Sequence, residues 1–207
     1  MKMKRIILSA LALSLLLTVR SSDALGQAFC ALRDPSTEIY ALFPTGTSFQ
    51  SIVRDLSEKE VRDRIADELG IPLHFSELGK HTLYVVYNDK NPIGLVHARP
   101  ELGRWGIVEV AWAMDLELNI VDFSFVRCRD MSKKVFQEDV KARALFQGAD
   151  IERLRHYMTP GSYTFNKEIH HLEANLHQFA DLLLINAVKT LIVTQIAWQE
   201  DLAEITR

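Results

Sequence analysis

Residues 82–125 read TLYVVYNDKNPIGLVHARPELGRWGIVEVAWAMDLELNIVDFSF, and this stretch decides the fold. Residues 82–87 are rich in β-branched and aromatic side chains, which predicts a strand. Asn88-Asp89-Lys90-Asn91-Pro92 predicts a turn, and residues 93–99 the returning strand. Residues 100–106 read as a second connection. In residues 107–115, Val108, Val110, Trp112 and Met114 alternate onto one face. Residues 116–119 turn the chain again. Val121, Phe123 and Phe125 then point one way, Asp122 and Ser124 the other. The expectation is a four-stranded antiparallel meander.

Helices are expected on both sides of it. Residues 36–54 are mixed, with a turn at Phe43-Pro44-Thr45-Gly46. Ser57 and Glu60 have the spacing of a capping box for a helix over residues 57–69. Val61, Ile65 and Leu69 are its buried stripe, and Gly70 and Pro72 end it. After the meander, Ser132 opens a helix to about residue 146, stopped by Gly148, and Asp150 caps a short one through Met158. Asn166 opens a long helix whose stripe is Ile169, Leu172, Leu176, Phe179 and Leu183. Asp181, Asn186, Lys189 and Gln195 interrupt its apolar later half, which predicts a buried core helix rather than a membrane span. The fold class is therefore α+β: an antiparallel sheet of about four strands, packed helices and a long C-terminal helix.

The chain opens with Lys2, Lys4 and Arg5, followed by an apolar run over residues 6–19. That is the pattern of a secretory signal, and the run is shorter than the roughly 20 residues of a spanning helix. Ser22-Asp23-Ala24 and Gly26-Gln27-Ala28 offer cleavage sites. The second divides the chain into a signal, residues 1–28, and one domain, residues 29–207; an uncleaved anchor is the alternative. Export implies a periplasmic or otherwise extracytoplasmic location. The whole chain has net charge −3; residues 1–28 carry four basic groups against one acidic, so the domain is about −6. An acidic domain repels phosphate backbones, which argues against nucleic acid as a partner. The chain has two cysteines, Cys30 and Cys128. Outside the cytoplasm they most simply form one disulfide, worth roughly 4–5 kcal/mol in the chain-entropy model. Two free thiols or a redox pair are the alternatives, and Cys30 stands in no lipobox.

No nucleophile elbow, P-loop or GxGxxG is present, so no catalytic set can be named. His170, Glu173 and His177 share a face if their segment is helical. That face lies about 110° from the centre of the apolar stripe, so it points to solvent and no metal is assigned. His74 and His81 flank residues 75–80 as candidate ligands or bases, although a histidine at a strand entrance is usually structural. Arg127 and Arg129 bracket Cys128, either to hold a phosphate or to form salt bridges. Gly103-Arg104-Trp105-Gly106 combines two glycines that admit close approach with a charge and a stacking plane. A tight turn carrying a surface tryptophan explains it equally well.

Ile93-Gly94-Leu95-Val96, Gly103-Arg104-Trp105-Gly106 and the strands around them resemble the FMN-binding domain family. That family includes extracytoplasmic domains of the sodium-pumping NADH:quinone reductase and of Rnf-type complexes. Phe146-Gln147-Gly148 matches its Phe-x-Gly, and Leu42-Phe43-Pro44 its N-terminal part. The likeness spans about residues 41–198. It implies an FMN cofactor, an electron-transfer role and a membrane-associated redox partner. The contacts it implies are Gly103, Arg104, Trp105 and Gly106 on one side, with Ser162 and Thr164 on the other. The family's flavinylation motif, Ser-Gly-Ala-Thr, is here Gly161-Ser162-Tyr163-Thr164. Tyr163 would crowd a phosphate at the backbone, which argues against covalent attachment. Non-covalent FMN, or a non-catalytic periplasmic binding or assembly domain without flavin, are the readings left open.

Overall fold

The computed structural model describes residues 34–207 apart from 168 and 170. Five strands form one antiparallel sheet in chain order: β1 (Ser48–Asp55), β2 (Lys80–Asn88), β3 (Asn91–Gly103), β4 (Gly106–Met114) and β5 (Ile120–Arg127). The α+β class holds. The sheet has one more strand than the sequence predicts, because β1 pairs along the free edge of β2, from Ser48 opposite Tyr87 to Asp55 opposite Lys80. The chain over residues 100–103 also continues as strand, so β3 runs to the turn itself and pairs Gly103 with Gly106.

Helices cover both faces. On one lies α1 (Ser36–Leu42), whose Ile39, with the adjacent Phe43, packs on Val86, Val96, Ala111, Ala113 and Val126. Gly94 makes this possible: a Cβ there would stand 2.3 Å from the Phe43 ring and 2.8 Å from the Met114 carbonyl oxygen. The other face holds the main core, under α2 (Lys59–Leu69), α3 (Lys133–Glu138), α4 (Val140–Ala144), α5 (Ile151–Tyr157) and α6 (His177–Ala197). A short helix, α7 (Gln199–Ile205), ends the chain. As predicted, Val108, Val110, Trp112 and Met114 face this core together. The helix α6 is apolar around its circumference, and residues 174–197 are long and apolar enough to cross a membrane. Here 72% of its most apolar 18-residue window is buried, and the helix touches β3, β4, α2 and α5. A helix apolar on all sides is the expected form of a core helix.

Four local expectations are corrected. Ser57 does not cap α2; its backbone N–H donates to the Asp55 carboxylate at 2.9 Å, and α2 starts at Lys59 behind an uncapped Glu58. The helix expected over residues 132–146 is two, because the Asp139 carboxylate accepts from the N–H groups of Lys141 and Ala142 and starts a new one. The long helix begins at His177, not Asn166, after a 3-10 turn at Ala174–Leu176. Val121 is 44% exposed, because the ladder skips it: Ala113 pairs with Asp122 and Met114 with Ile120. Asp150 caps α5 as expected, accepting from the Arg153 N–H at 2.8 Å. The Cys30–Cys128 pairing lies outside the described residues, as Cys30 does. Cys128 is half-buried, and burial raises its thiol pKa.

Candidate functional site

Gly103 and Gly106 close the β3–β4 hairpin around a two-residue turn. Gly106 has φ +105°, which a side chain would strain. A Cβ on Gly103 would come within 2.9 Å of Val108 and 3.6 Å of Leu182, so glycine lets the hairpin tip lie against α6. The turn thereby lifts Arg104 and Trp105 into solvent. Trp105 is 60% exposed, and the Arg104 guanidinium sits 5.1 Å from its ring centroid, in cation–π range. Beside the turn is a cleft lined by Arg104 and Trp105, by Asp130 and Ser132 after β5, by Asn175 of the 3-10 turn and by Gln178 of α6. The cleft thus joins an aromatic plane, a cation and two carboxamides.

Ser162 and Thr164 do not line this cleft. Their loop is a closed turn: Thr159 N–H donates to the Thr164 carbonyl at 2.8 Å, and Ser162 N–H to the Thr159 carbonyl at 2.9 Å. The two hydroxyls lie 3.0 Å apart and bond each other. Tyr163, out of place in a flavinylation motif, docks the loop by donating to the Leu69 carbonyl at the end of α2. The Phe165 N–H fixes the other side on the Asp181 carboxylate at 2.8 Å. Burial raises the pKa of Asp181 against the lowering effect of that bond. The structure therefore gathers four of the six sequence-predicted contacts at the turn and sets two in a separate loop.

A buried polar network went unread in the sequence. Glu77, in a 3-10 turn at Phe75–Glu77, accepts from Arg99 of β3 at 2.9 Å and from Lys189 of α6 at 3.0 and 3.1 Å. Lys189 also reaches Glu101 at 2.9 Å. Nearby, Asn186 accepts from the Trp112 indole at 2.6 Å and donates to the Arg99 carbonyl at 3.2 Å. His97 bonds Thr194 at 2.8 Å, and His81 bonds the Glu77 carbonyl at 2.8 Å. Burial alone would raise the Glu77 pKa, but the charges of Arg99 and Lys189 outweigh it and hold the carboxyl low. Burial, with the nearby Arg99 charge, pushes His81 down to about 4 and His97 well below the usual range. Both imidazoles are therefore neutral at pH 7. Two cations meet two anions here, so the network neutralises itself and ties three elements together. The sequence signal was the set of polar interruptions in α6: Asn186 and Lys189 are buried and bonded, and Asp181 holds Phe165.

The remaining candidates have structural places. His74 caps the 3-10 turn, its ring accepting from Ser76 N–H at 3.3 Å while Glu77 accepts from its backbone N–H at 3.0 Å. Glu173 precedes a 3-10 turn and His177 begins α6, so the shared helix face assumed for the trio with His170 does not exist. His170 itself lies outside the described residues. Arg127 and Arg129 are exposed and form no salt bridge among the described residues. No protein-family model matches the chain, and no curated protein or solved structure gives a match.

Proposed function

We propose that this is an extracytoplasmic electron-transfer domain that holds FMN non-covalently in the cleft beside the β3–β4 turn. One observation carries the reading: an exposed indole with a guanidinium over it, lining one cleft with two carboxamides. Those groups suit a flat heteroaromatic ring with polar edges and a phosphate tail. Bound FMN supplies one- and two-electron transfer; the protein supplies orientation and the local field. Trp105 offers the stacking plane, Arg104 a charge for the phosphate, and Asn175 and Gln178 donors and acceptors for the ring edge. The closed turn at Thr159–Thr164 needs no part in it.

Titration of the purified protein with FMN tests this, because flavin against Trp105 quenches its emission. Trp105→Ala is expected to weaken binding about tenfold or more, in line with the roughly 1–3 kcal/mol of a base–aromatic stack. Arg104→Gln should weaken FMN more than riboflavin, which lacks the phosphate. Thr164→Ala separates the two halves of the sequence-predicted set: full binding keeps the flavin at the turn, and lost binding moves it to the loop. If FMN leaves Trp105 emission unchanged and no variant alters flavin content, the domain is a binding or assembly module without the cofactor.

A further inference from the structure

Three of the most exposed apolar side chains gather at one end of the molecule: Leu102 is 71% exposed, Trp105 60% and Met131 78%. Leu102 and Trp105 sit at the tip of the β3–β4 hairpin. β5 leaves the sheet at that same end, since its last residue, Arg127, pairs with Glu109, three residues from Gly106. Met131 therefore follows closely. Ser132 and Asn175 line both the cleft beside Leu102 and Trp105 and the one beside Met131, so the three side chains border two neighbouring clefts.

The charge around this rim runs against that of the domain. Arg104, Arg127, Arg129 and Lys134 are exposed, and none forms a salt bridge among the described residues. Of the nearby acids, four are engaged, and the exposed Glu173 lines the Met131 cleft. Glu101 turns inward to Lys189, Glu109 is 4% exposed, Asp130 accepts from the Ser132 N–H at 2.9 Å, and Asp139 caps α4. Residues 127–134 carry four cations against one acid, Asp130, so an acidic domain presents an apolar-tipped end with a basic segment beside it.

We propose that this end docks on an anionic lipid surface. Leu102 and Met131 enter the boundary of the acyl chains, the Trp105 indole lies at headgroup level, and the four cations meet lipid phosphates. The shape favours lipid over an acidic protein. The apolar groups stand on projecting tips, and a fluid surface closes around projections without a matching pocket. The acidic remainder of the domain is repelled by the same surface, which orients it. The inference calls on Trp105 and Arg104, as the flavin reading does, so lipid and flavin compete for these two side chains; its test contains no flavin and fails or succeeds without it.

Trp112 and Trp198 are fully buried, so changes in emission and quencher access report Trp105. The full chain is mixed with vesicles of equal parts phosphatidylglycerol and phosphatidylcholine, or of phosphatidylcholine alone. The expected result is a blue shift and protection from acrylamide only with phosphatidylglycerol. This readout follows Trp105 itself, so it holds however the N-terminal residues meet the bilayer. The pair Arg127→Gln and Arg129→Gln should lower the lipid affinity of the Trp105 signal roughly thirty-fold. The pair Leu102→Ser and Met131→Ser should abolish the blue shift. Equal quenching with both vesicle types, or an arginine pair that behaves as wild type, overturns the proposal. So does protection by polyglutamate with none from vesicles, which would assign this end to an acidic protein.

Discussion

His81 shows at a single residue what burial among charges does. Its ring is 6% exposed, bonds the Glu77 carbonyl and feels the Arg99 guanidinium, so it stays neutral down to about pH 4. In the unfolded chain it protonates near its ordinary value of about 6.5. Between those two values the unfolded state binds the extra proton, so acid favours unfolding. Stability is therefore expected to fall as the pH drops from about 6.5 to about 4. The loss from His81 is on the order of 3 kcal/mol, and His97 acts in the same direction. Denaturant midpoints across that range check this. His81→Gln keeps a donor for the Glu77 carbonyl and removes the titration, so its stability curve should be flatter. A curve as steep as that of wild type would place the acid sensitivity elsewhere.

The elements follow from a few close contacts, and Gly94 is the sharpest of them. Any side chain there meets both the Phe43 ring and the Met114 carbonyl. Gly94→Ala should cost about 1–3 kcal/mol by forcing α1 away from the sheet, read as a lowered melting temperature. Phe43→Leu in the same chain should restore only part of it, because the Met114 carbonyl remains in the way. The strands from Thr82 onward were legible because their core residues alternate or sit between clear turns. β1 was not, because Phe49, Ile52 and Asp55 are its less exposed positions, a spacing of three rather than two. The long helix was read too early for a related reason. Ile169 and Leu176 are core residues at helical spacing, but an irregular turn delivers them there. Asp139 starting a second helix within residues 132–146 left no mark that separates it from a solvated acid. The turn at Gly103–Gly106 announced itself as one short motif. The network of Glu77, Arg99 and Lys189 did not, because three distant segments supply it and only the fold brings them together.

At the scale of the whole molecule, α6 is the keel: it touches β3, β4, α2 and α5, and supplies Asn186, Lys189 and Thr194 to the buried network. Amide hydrogen exchange should be slowest in the middle of α6 and in β3 and β4, and fastest in α7, which has no buried residue. Equal protection of α6 and α7 would contradict this division. The sheet itself is assembled from neighbours in the chain, so β2 to β5 can zip up hairpin by hairpin with little loop to close. Its charged inner wall, however, is finished by α6, which follows all five strands in the chain. Until Lys189 emerges, Glu77 has Arg99 alone and Glu101 lacks its lysine, so water must remain among them. The polypeptide thus carries a timing device in its own order: residues 177–197 decide when the earlier ones may become dry.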